Sequence, residues 1–188
     1  MSTAAMALAL TAALAGCSTG GPQRTGADAT PLSSASTPVD SLLQLRDSRN
    51  LVALLPCQLL TPAQLEGNRI DQPGQPTDVA GSAGCKWGNK AHSREIAMFV
   101  DVGDDVLSNV YAQRTTFPAF EITEVAGHLA IRTKDDVDGP ACYFRVAAAQ
   151  KQTLIVRFAS LRPGGEEPCG QAKALAATVI GNLPPLKG

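Results

Sequence analysis

Apolar side chains recur at every second position through the middle of this chain and follow a helical stripe near its end. The alternating period is typical of strands that bury one face. It predicts strands at 85–87, 96–102, 120–125, 128–132, 142–146 and 154–158. Short turns join several of these segments, so the sheet is predicted to be mostly antiparallel.

Two short helices are predicted around the first strands. Thr61 can cap the first helix, Pro62 suits its first turn, and Gln64 completes a capping box. Asp104 is predicted to cap the second helix. The residues spaced by three and four in that helix are Leu107, Val110, Tyr111 and Arg114.

A longer helix is predicted over 170–182, where Pro184 and Pro185 stop it. Its apolar stripe favours packing on a sheet over lying on lipid. The stripe consists of Ala172, Leu175, Ala176, Val179, Ile180 and Leu183. Segment 72–84 is rich in Pro and Gly and is predicted to be a loop, while 42–55 is predicted to be a short helix or an extended lead-in.

These elements together predict an α+β fold for a single domain over residues 41–188, with helices packed on one mostly antiparallel sheet. A folded part of about 145 residues buries roughly two thirds of its unfolded surface. The chain is therefore long enough for a real core.

The first 17 residues have the pattern of a bacterial lipoprotein signal. An apolar run leads to Leu14-Ala15-Gly16-Cys17, which has the small residues and the cysteine of a lipobox. We predict removal of a signal peptide at 1–16 and lipidation of Cys17, for example by palmitate. As a helix, the apolar run would cover only ~16 Å, too short for a bilayer core of about 30 Å. The predicted location is the cell membrane, lipid-anchored on its extracytoplasmic face.

Residues 17–40 comprise the lipidated Cys17 and a segment rich in Ser, Thr, Gly, Ala and Pro, with almost no large apolar side chain. Such a composition cannot repay the entropy of folding. We predict a flexible tether with a mean span of ~25 to 30 Å between the lipidated Cys17 and the domain.

The chain has five cysteines. With Cys17 lipidated, an even set of four remains in an exported domain, where cysteines usually oxidise. Four cysteines allow three connectivities. Because each pair joins a helix start to a strand start, we predict the disulfides Cys57–Cys85 and Cys142–Cys169. Each closes a loop worth about 3.5 kcal/mol in the chain-entropy model.

Composition argues against several classes of partner. The formal net charge of −1 lacks the basic excess that nucleic-acid binding needs. The four cysteines are far apart without any Cys-x-x-Cys spacing, and neither histidine is at ligand spacing from them. We therefore predict no metal site, no cofactor and no nucleic-acid partner.

Candidate catalytic residues are few. His92 and His128 are the histidines, and His128 is predicted to be a turn histidine that the backbone or water satisfies. The run 135–139 has alternate carboxylates, but Arg145 stands where a calcium loop needs a glutamate, so a solvated turn is predicted. Other acidic residues are predicted to have ordinary capping or surface roles: Asp101, Asp104, Asp105, Glu166 and Glu167.

Several motifs together resemble a family of small actinobacterial lipoproteins defined by a domain of unknown function. They are the lipobox, the Ser/Thr/Pro tether, the Pro-Cys-x-Leu-Leu-Thr-Pro-x-x-Leu segment at 56–65, Gly-Cys-x-Trp at 84–87, and a late cysteine before an apolar helix that ends in Leu183-Pro184. The resemblance covers residues 51–184. It implies an envelope lipoprotein with a cysteine-stapled α+β domain, and it implies no catalytic residues.

From these observations we expect an extracytoplasmic lipoprotein that is not an enzyme and that binds a small ligand or an envelope partner protein. No pattern in the sequence identifies the ligand-binding residues. Two alternatives remain open, a small envelope hydrolase that uses His128 or the acidic residues, and a structural surface protein.

Overall fold

The computed structural model describes residues 47–162 and 164–187. The predicted signal peptide, the lipidated Cys17 and the tether lie outside the described residues. Seven strands form one sheet. They are β1 (Gln75–Val79), β2 (Ser82–Asn89), β3 (Arg94–Val102), β4 (Ala119–Val125), β5 (His128–Lys134), β6 (Ala141–Ala149) and β7 (Gln152–Ser160).

The strands lie in the order β1-β2-β3-β7-β6-β5-β4, and every neighbouring pair is antiparallel. Turns join consecutive strands from β1 to β3 and from β4 to β7. Between β3 and β4 the chain crosses from the centre of the sheet to its far edge. The central pair β3–β7 is in register over its whole length, from Arg94 opposite Ser160 to Val102 opposite Gln152.

Within the described residues, three α-helices accompany the sheet, α1 (Pro62–Gly67), α2 (Val106–Ala112) and α3 (Pro168–Asn182). The predicted capping box of α1 is present, since Thr61 accepts from the Gln64 backbone and Gln64 reaches back to the Thr61 backbone. In the predicted lead-in, Leu51–Ala53 forms a 3-10 helix.

The main core lies between α3 and the face of the sheet that we call the inner face. Helix α3 packs against β6 and β7. Its predicted stripe is buried: Ala172, Leu175, Ala176, Val179, Ile180 and Leu183. Alternation places Phe144 of β6 and Phe158 of β7 on the inner face, at 2% and 1% exposure. The opposite face, the outer face, carries α2 over β5 and β6 with a smaller cluster around Leu107, Val110, Ile131 and Ala147.

Two disulfides connect helical segments to the sheet. Cys57, in a 3-10 turn, is bonded to Cys85 of β2, and Cys142 of β6 is bonded to Cys169 in the first turn of α3. Both are the pairs predicted from the chain. The α+β class with helices on an antiparallel sheet is confirmed as well.

Several local predictions were wrong. The segment 72–84 is not only a loop, since β1 pairs with β2 from Gln75 opposite Lys86 to Val79 opposite Ser82. Asp104 does not cap α2. The cap is Asp105, whose Oδ1 accepts from the Ser108 backbone N–H at 3.2 Å.

The closing helix begins at Pro168, two residues before the predicted start. The Glu167 carboxylate caps it by accepting from the N–H groups of Cys169 and Gly170. In the described part of the chain, no helix is long and apolar enough to cross a membrane.

Candidate functional site

Three polar side chains of β6 and β7 stand together on the outer face of the sheet. Because Cys142, Phe144 and Val146 point inward, the alternate residues Tyr143 and Arg145 point outward. Arg157 of β7 lies directly opposite Tyr143. We call Tyr143, Arg145 and Arg157 the Arg–Tyr cluster.

Arg157 is anchored on both sides. Its Nε donates to Tyr143 Oη at 3.2 Å, and its Nη1 forms an ion pair with Glu95 of β3. Its Cζ lies 5.9 Å from the centroid of the Tyr143 ring. These contacts fix the guanidinium over the β3–β7–β6 part of the outer face.

Arg145 is held differently, between two aromatic rings. Its Cζ lies 5.5 Å from the Tyr143 ring centroid and 5.9 Å from that of Phe117. Its Nη1 donates to Thr133 Oγ1 at 2.7 Å. The ion pairs among the described residues involve other arginines, so no described carboxylate lies within 4.0 Å of this guanidinium.

Burial lowers the pKa of Arg145 below the ordinary value for arginine, while the nearby Tyr143 and Asp135 act in the opposite direction. At neutral pH the group still carries its charge. Arg145 is thus a partly desolvated cation whose remaining donors have no acidic partner.

Apolar side chains lie beside the cluster. Phe99 of β3 and Ile155 of β7 are paired in register, and both are only partly buried on the outer face. On the other side, Phe117 stacks on Phe120 at 6.4 Å between centroids. The cluster therefore sits between two apolar patches of the same face.

A cleft of about 440 Å³ adjoins this surface at the edge formed by β1 and β2. Its lining includes Lys86 and Glu95, and Glu95 is the residue that pairs with Arg157. Lys86 is exposed and unpaired among the described ion pairs. The cleft therefore extends the site with side chains of both charges, such as Lys86 and Glu95.

Chemically, this arrangement suits the recognition of an anion. Arginine donors in a planar fork match carboxylate and phosphate oxygens, and stacking on aromatic rings holds the fork in one orientation. The neighbouring Phe99 and Ile155 can contact an apolar part of the same ligand. General acid and base chemistry most often uses histidine or carboxylate side chains, and the Arg–Tyr cluster contains neither.

The two histidines lie away from the Arg–Tyr cluster. His128 is 5% exposed, and its Nδ1 donates to the Ala147 carbonyl at 2.9 Å, so a backbone group satisfies it as predicted. His92 is exposed in the turn between β2 and β3. In the part of the chain that the structure describes, neither histidine forms an ion pair or a side-chain hydrogen bond with an acidic residue.

The acidic candidates have structural partners. Asp136 organises the turn at 135–139 by accepting from the N–H groups of Asp138 and Gly139. Asp101 accepts from Ser82 Oγ at 2.7 Å. Glu166, predicted to be exposed, is half-buried and pairs with Arg94. Among the residues placed by the structure, no group of three or more His, Cys, Asp or Glu side chains could hold a metal ion.

None of the three members of the Arg–Tyr cluster was predicted from the sequence to be a site residue. A signal was available, because alternation with Cys142, Phe144 and Val146 puts Tyr143 and Arg145 on the opposite face. Alternation alone could not show that Arg157 would lie opposite Tyr143. That contact depends on the register of β6 with β7.

Comparison with known proteins identifies the family of this chain. The model of the family described as Protein of unknown function (DUF3558) matches residues 12–182, so the chain belongs to this family. This confirms the resemblance to a family defined by a domain of unknown function. No curated protein and no solved structure matches the chain.

Proposed function

We propose that this protein is a lipid-anchored lipoprotein on the extracytoplasmic face of the cell membrane. In this proposal its domain binds, without catalysis, a small ligand with a carboxylate or phosphate group on an apolar body. The lipobox at Cys17 supports the anchoring. Two disulfides in the domain support an oxidising location outside the cytosol.

Arg145 carries the binding part of the proposal. A partly desolvated guanidinium without an acidic partner is costly for a fold, because removing a charge from water is compensated only by good partners. Aromatic stacking and the Thr133 hydroxyl provide part of the compensation. A ligand anion would complete it.

The apolar body of the ligand follows from the neighbours of the cluster. Phe99 and Ile155 lie on the outer face and keep part of their surface in solvent. Covering such surface stabilises a complex by roughly 25 cal/mol per Å². An amphiphilic anion therefore fits the site better than a small polar ion.

Decanoate is a suitable probe, with decanol as its uncharged counterpart. We would titrate the isotope-labelled full chain with decanoate below its micelle concentration and with decanol below its solubility limit, and follow backbone amide shifts. The proposal expects decanoate to shift residues of β6 and β7 and decanol to bind at least about tenfold more weakly, because a charge-assisted hydrogen bond contributes about 1.5–3 kcal/mol.

Arg145→Met keeps the unbranched stem and removes the charge. It should weaken decanoate binding at least about tenfold. Arg114→Met is the matched control, since Arg114 also stacks on an aromatic ring, that of Tyr111 at 4.6 Å, but lies outside the cluster. Equal affinity of the Arg145→Met and wild-type proteins for decanoate would refute the proposed site.

A further inference from the structure

A second cleft, independent of the Arg–Tyr cluster, lies at the end of the sheet where β7 finishes and β3 begins. Its volume is about 140 Å³, room for roughly four to five waters or one oxyanion. Its lining consists of Arg69, His92, Arg94, Ser160, Arg162, Gly165 and Glu166. We call it the terminal cleft.

Positive charge exceeds negative charge in the terminal cleft. Arg94 is neutralised by its ion pair with Glu166, and it also donates to the Asn68 carbonyl. Arg69 and Arg162 belong to none of the ion pairs among the described residues. Arg162 donates to a backbone oxygen, that of Ala91, at 3.2 Å. Two arginines thus face the cleft without a carboxylate partner.

Backbone geometry brings these arginines to the cleft. Arg69 follows α1 in the left-handed region, at φ 54°, which glycine or asparagine adopts more readily. At Gly165 the loop lies so close to β7 that a Cβ would stand 2.1 Å from Ser160 Oγ and 2.8 Å from the Arg162 carbonyl. Any larger residue at Gly165 would clash there.

The carboxylate of Glu166 identifies the type of anion. One of its oxygens binds Arg94, but Oε2 is buried without a hydrogen-bond donor. The Glu166 side chain lines the cleft and is 39% exposed. An oxyanion that keeps a proton can donate to this carboxylate while its other oxygens accept from Arg69 and Arg162. Sulfate has no proton to donate near neutral pH and would repel the carboxylate.

We infer that the terminal cleft binds a dissolved phosphate, either the hydrogen phosphate dianion or a water-soluble phosphomonoester, and prefers it to sulfate. A larger phosphomonoester has room, because a depression of about 330 Å³ shares Arg162, Gly165 and Glu166 with the cleft. This inference uses no residue of the Arg–Tyr cluster, so either proposal can fail alone.

The terminal cleft lies at the opposite end of β7 from the point where the described chain meets the sheet. The described chain begins near the start of β7, where the Leu51 backbone N–H donates to Gln152 Oε1 at 2.8 Å. The terminal cleft lies at the other end of β7, about 26 Å away for a nine-residue strand. The cleft is therefore far from the point where the preceding segment joins the domain.

The test is calorimetric titration of the detergent-solubilised full chain with inorganic phosphate and with sulfate at pH 8 and equal ionic strength. Co-sedimentation with phosphatidylcholine vesicles, with or without phosphatidic acid, tests for a headgroup. Variants for titration are Arg69→Gln, Arg162→Gln and Glu166→Gln, with Lys173→Gln, an exposed residue of α3, as the matched control. Thermal unfolding of each variant establishes that it is folded.

We expect phosphate to bind at least about tenfold more tightly than sulfate, the worth of one charge-assisted hydrogen bond. Arg69→Gln and Arg162→Gln should each weaken phosphate binding about tenfold, Lys173→Gln should leave it unchanged, and Glu166→Gln should remove the preference over sulfate. Should Glu166→Gln not fold, the preference in the wild-type protein still tests the role of Glu166. Absent phosphate binding, equal sulfate binding, or binding to phosphatidic acid vesicles alone would overturn the inference.

Discussion

Gly84 and Phe99 face each other across β2 and β3, and the Phe99 ring covers the place where a side chain at Gly84 would stand. A Cβ at Gly84 would lie 2.4 Å from Phe99 Cδ1 and 2.7 Å from the Met98 carbonyl oxygen. The ring could turn away, but the carbonyl belongs to the backbone of β3 and cannot. Glycine is therefore required immediately before Cys85.

Gly84→Ala should destabilise the domain by about 1–3 kcal/mol, since added volume in a packed site forces a backbone shift. Gly181→Ala is the matched control, because a Cβ at that helical position meets nothing within 4 Å. It should stabilise α3 by about 0.5–1 kcal/mol. Urea unfolding measures both, and an equal effect of the two substitutions would contradict the proposed contact.

Removal of either disulfide should cost about 2–5 kcal/mol. The variants are Cys57→Ala with Cys85→Ala, and Cys142→Ala with Cys169→Ala. Alanine is chosen because Cys85 and Cys142 are fully buried and serine would place a hydroxyl there. Urea unfolding gives the cost. Thiol labelling of the unreduced wild-type domain should find no free cysteine among the four, and a reactive one would be inconsistent with the two bonds.

Arg145→Met alone should cost about 1–3 kcal/mol, because the buried Thr133 hydroxyl loses its hydrogen-bond partner. The double variant Thr133→Val/Arg145→Met removes both polar groups. It should match the wild-type stability within about 1 kcal/mol or exceed it, as is common when a desolvated charge is replaced by apolar atoms. Chemical unfolding of the wild-type protein, Thr133→Val, Arg145→Met and the double variant completes the double-mutant cycle. A double variant less stable than the wild type by more than about 1 kcal/mol would contradict this expectation and show that the charge stabilises the fold.

Asp105→Ala should destabilise the domain by about 1 kcal/mol through loss of the cap of α2. Asp104→Ala removes the same charge one residue earlier and should change stability by less than about 0.5 kcal/mol. Thermal unfolding compares the two variants. If Asp104→Ala destabilised the domain more than Asp105→Ala did, Asp104 rather than Asp105 would be the cap of α2.

Cys17→Ala should release the protein from the membrane fraction, since the predicted acyl chains are attached to Cys17. Fractionation of producing cells, with the wild-type protein alongside, measures the distribution. Metabolic labelling with a fatty acid should mark the wild-type protein only. Retention of Cys17→Ala in the membrane would count against the lipid anchor.

Much of the fold could be predicted because burial leaves a periodic trace in the sequence. The alternation through Cys142, Phe144 and Val146 marks β6, and the stripe through Leu175 and Val179 marks α3. The disulfides followed from these elements, since each joins a helical start to a strand of the sheet. Where a strand or helix buries one apolar face, the element predicted from the sequence agrees with the one in the structure.

Strand β1 could not be predicted because it buries no apolar face. It lies at the edge of the sheet, only Thr77 is partly buried, and Pro76 is usually a sign of loops. Its hydrogen bonds to β2 create the strand, and hydrogen bonds leave no apolar pattern. The Arg–Tyr cluster was missed because it depends on how Tyr143 and Arg157 are paired between strands.

The central pairing of β3 with β7 also sets when the domain can be completed. About 50 residues separate the end of β3 from the start of β7. At a synthesis rate of about 5–20 residues per second, this partner emerges several seconds after β3. Until then the middle of the sheet is missing, so the complete sheet can form only after most of the chain has been synthesised. If the protein is exported as we propose, this late pairing would let the chain cross the membrane before its sheet closes.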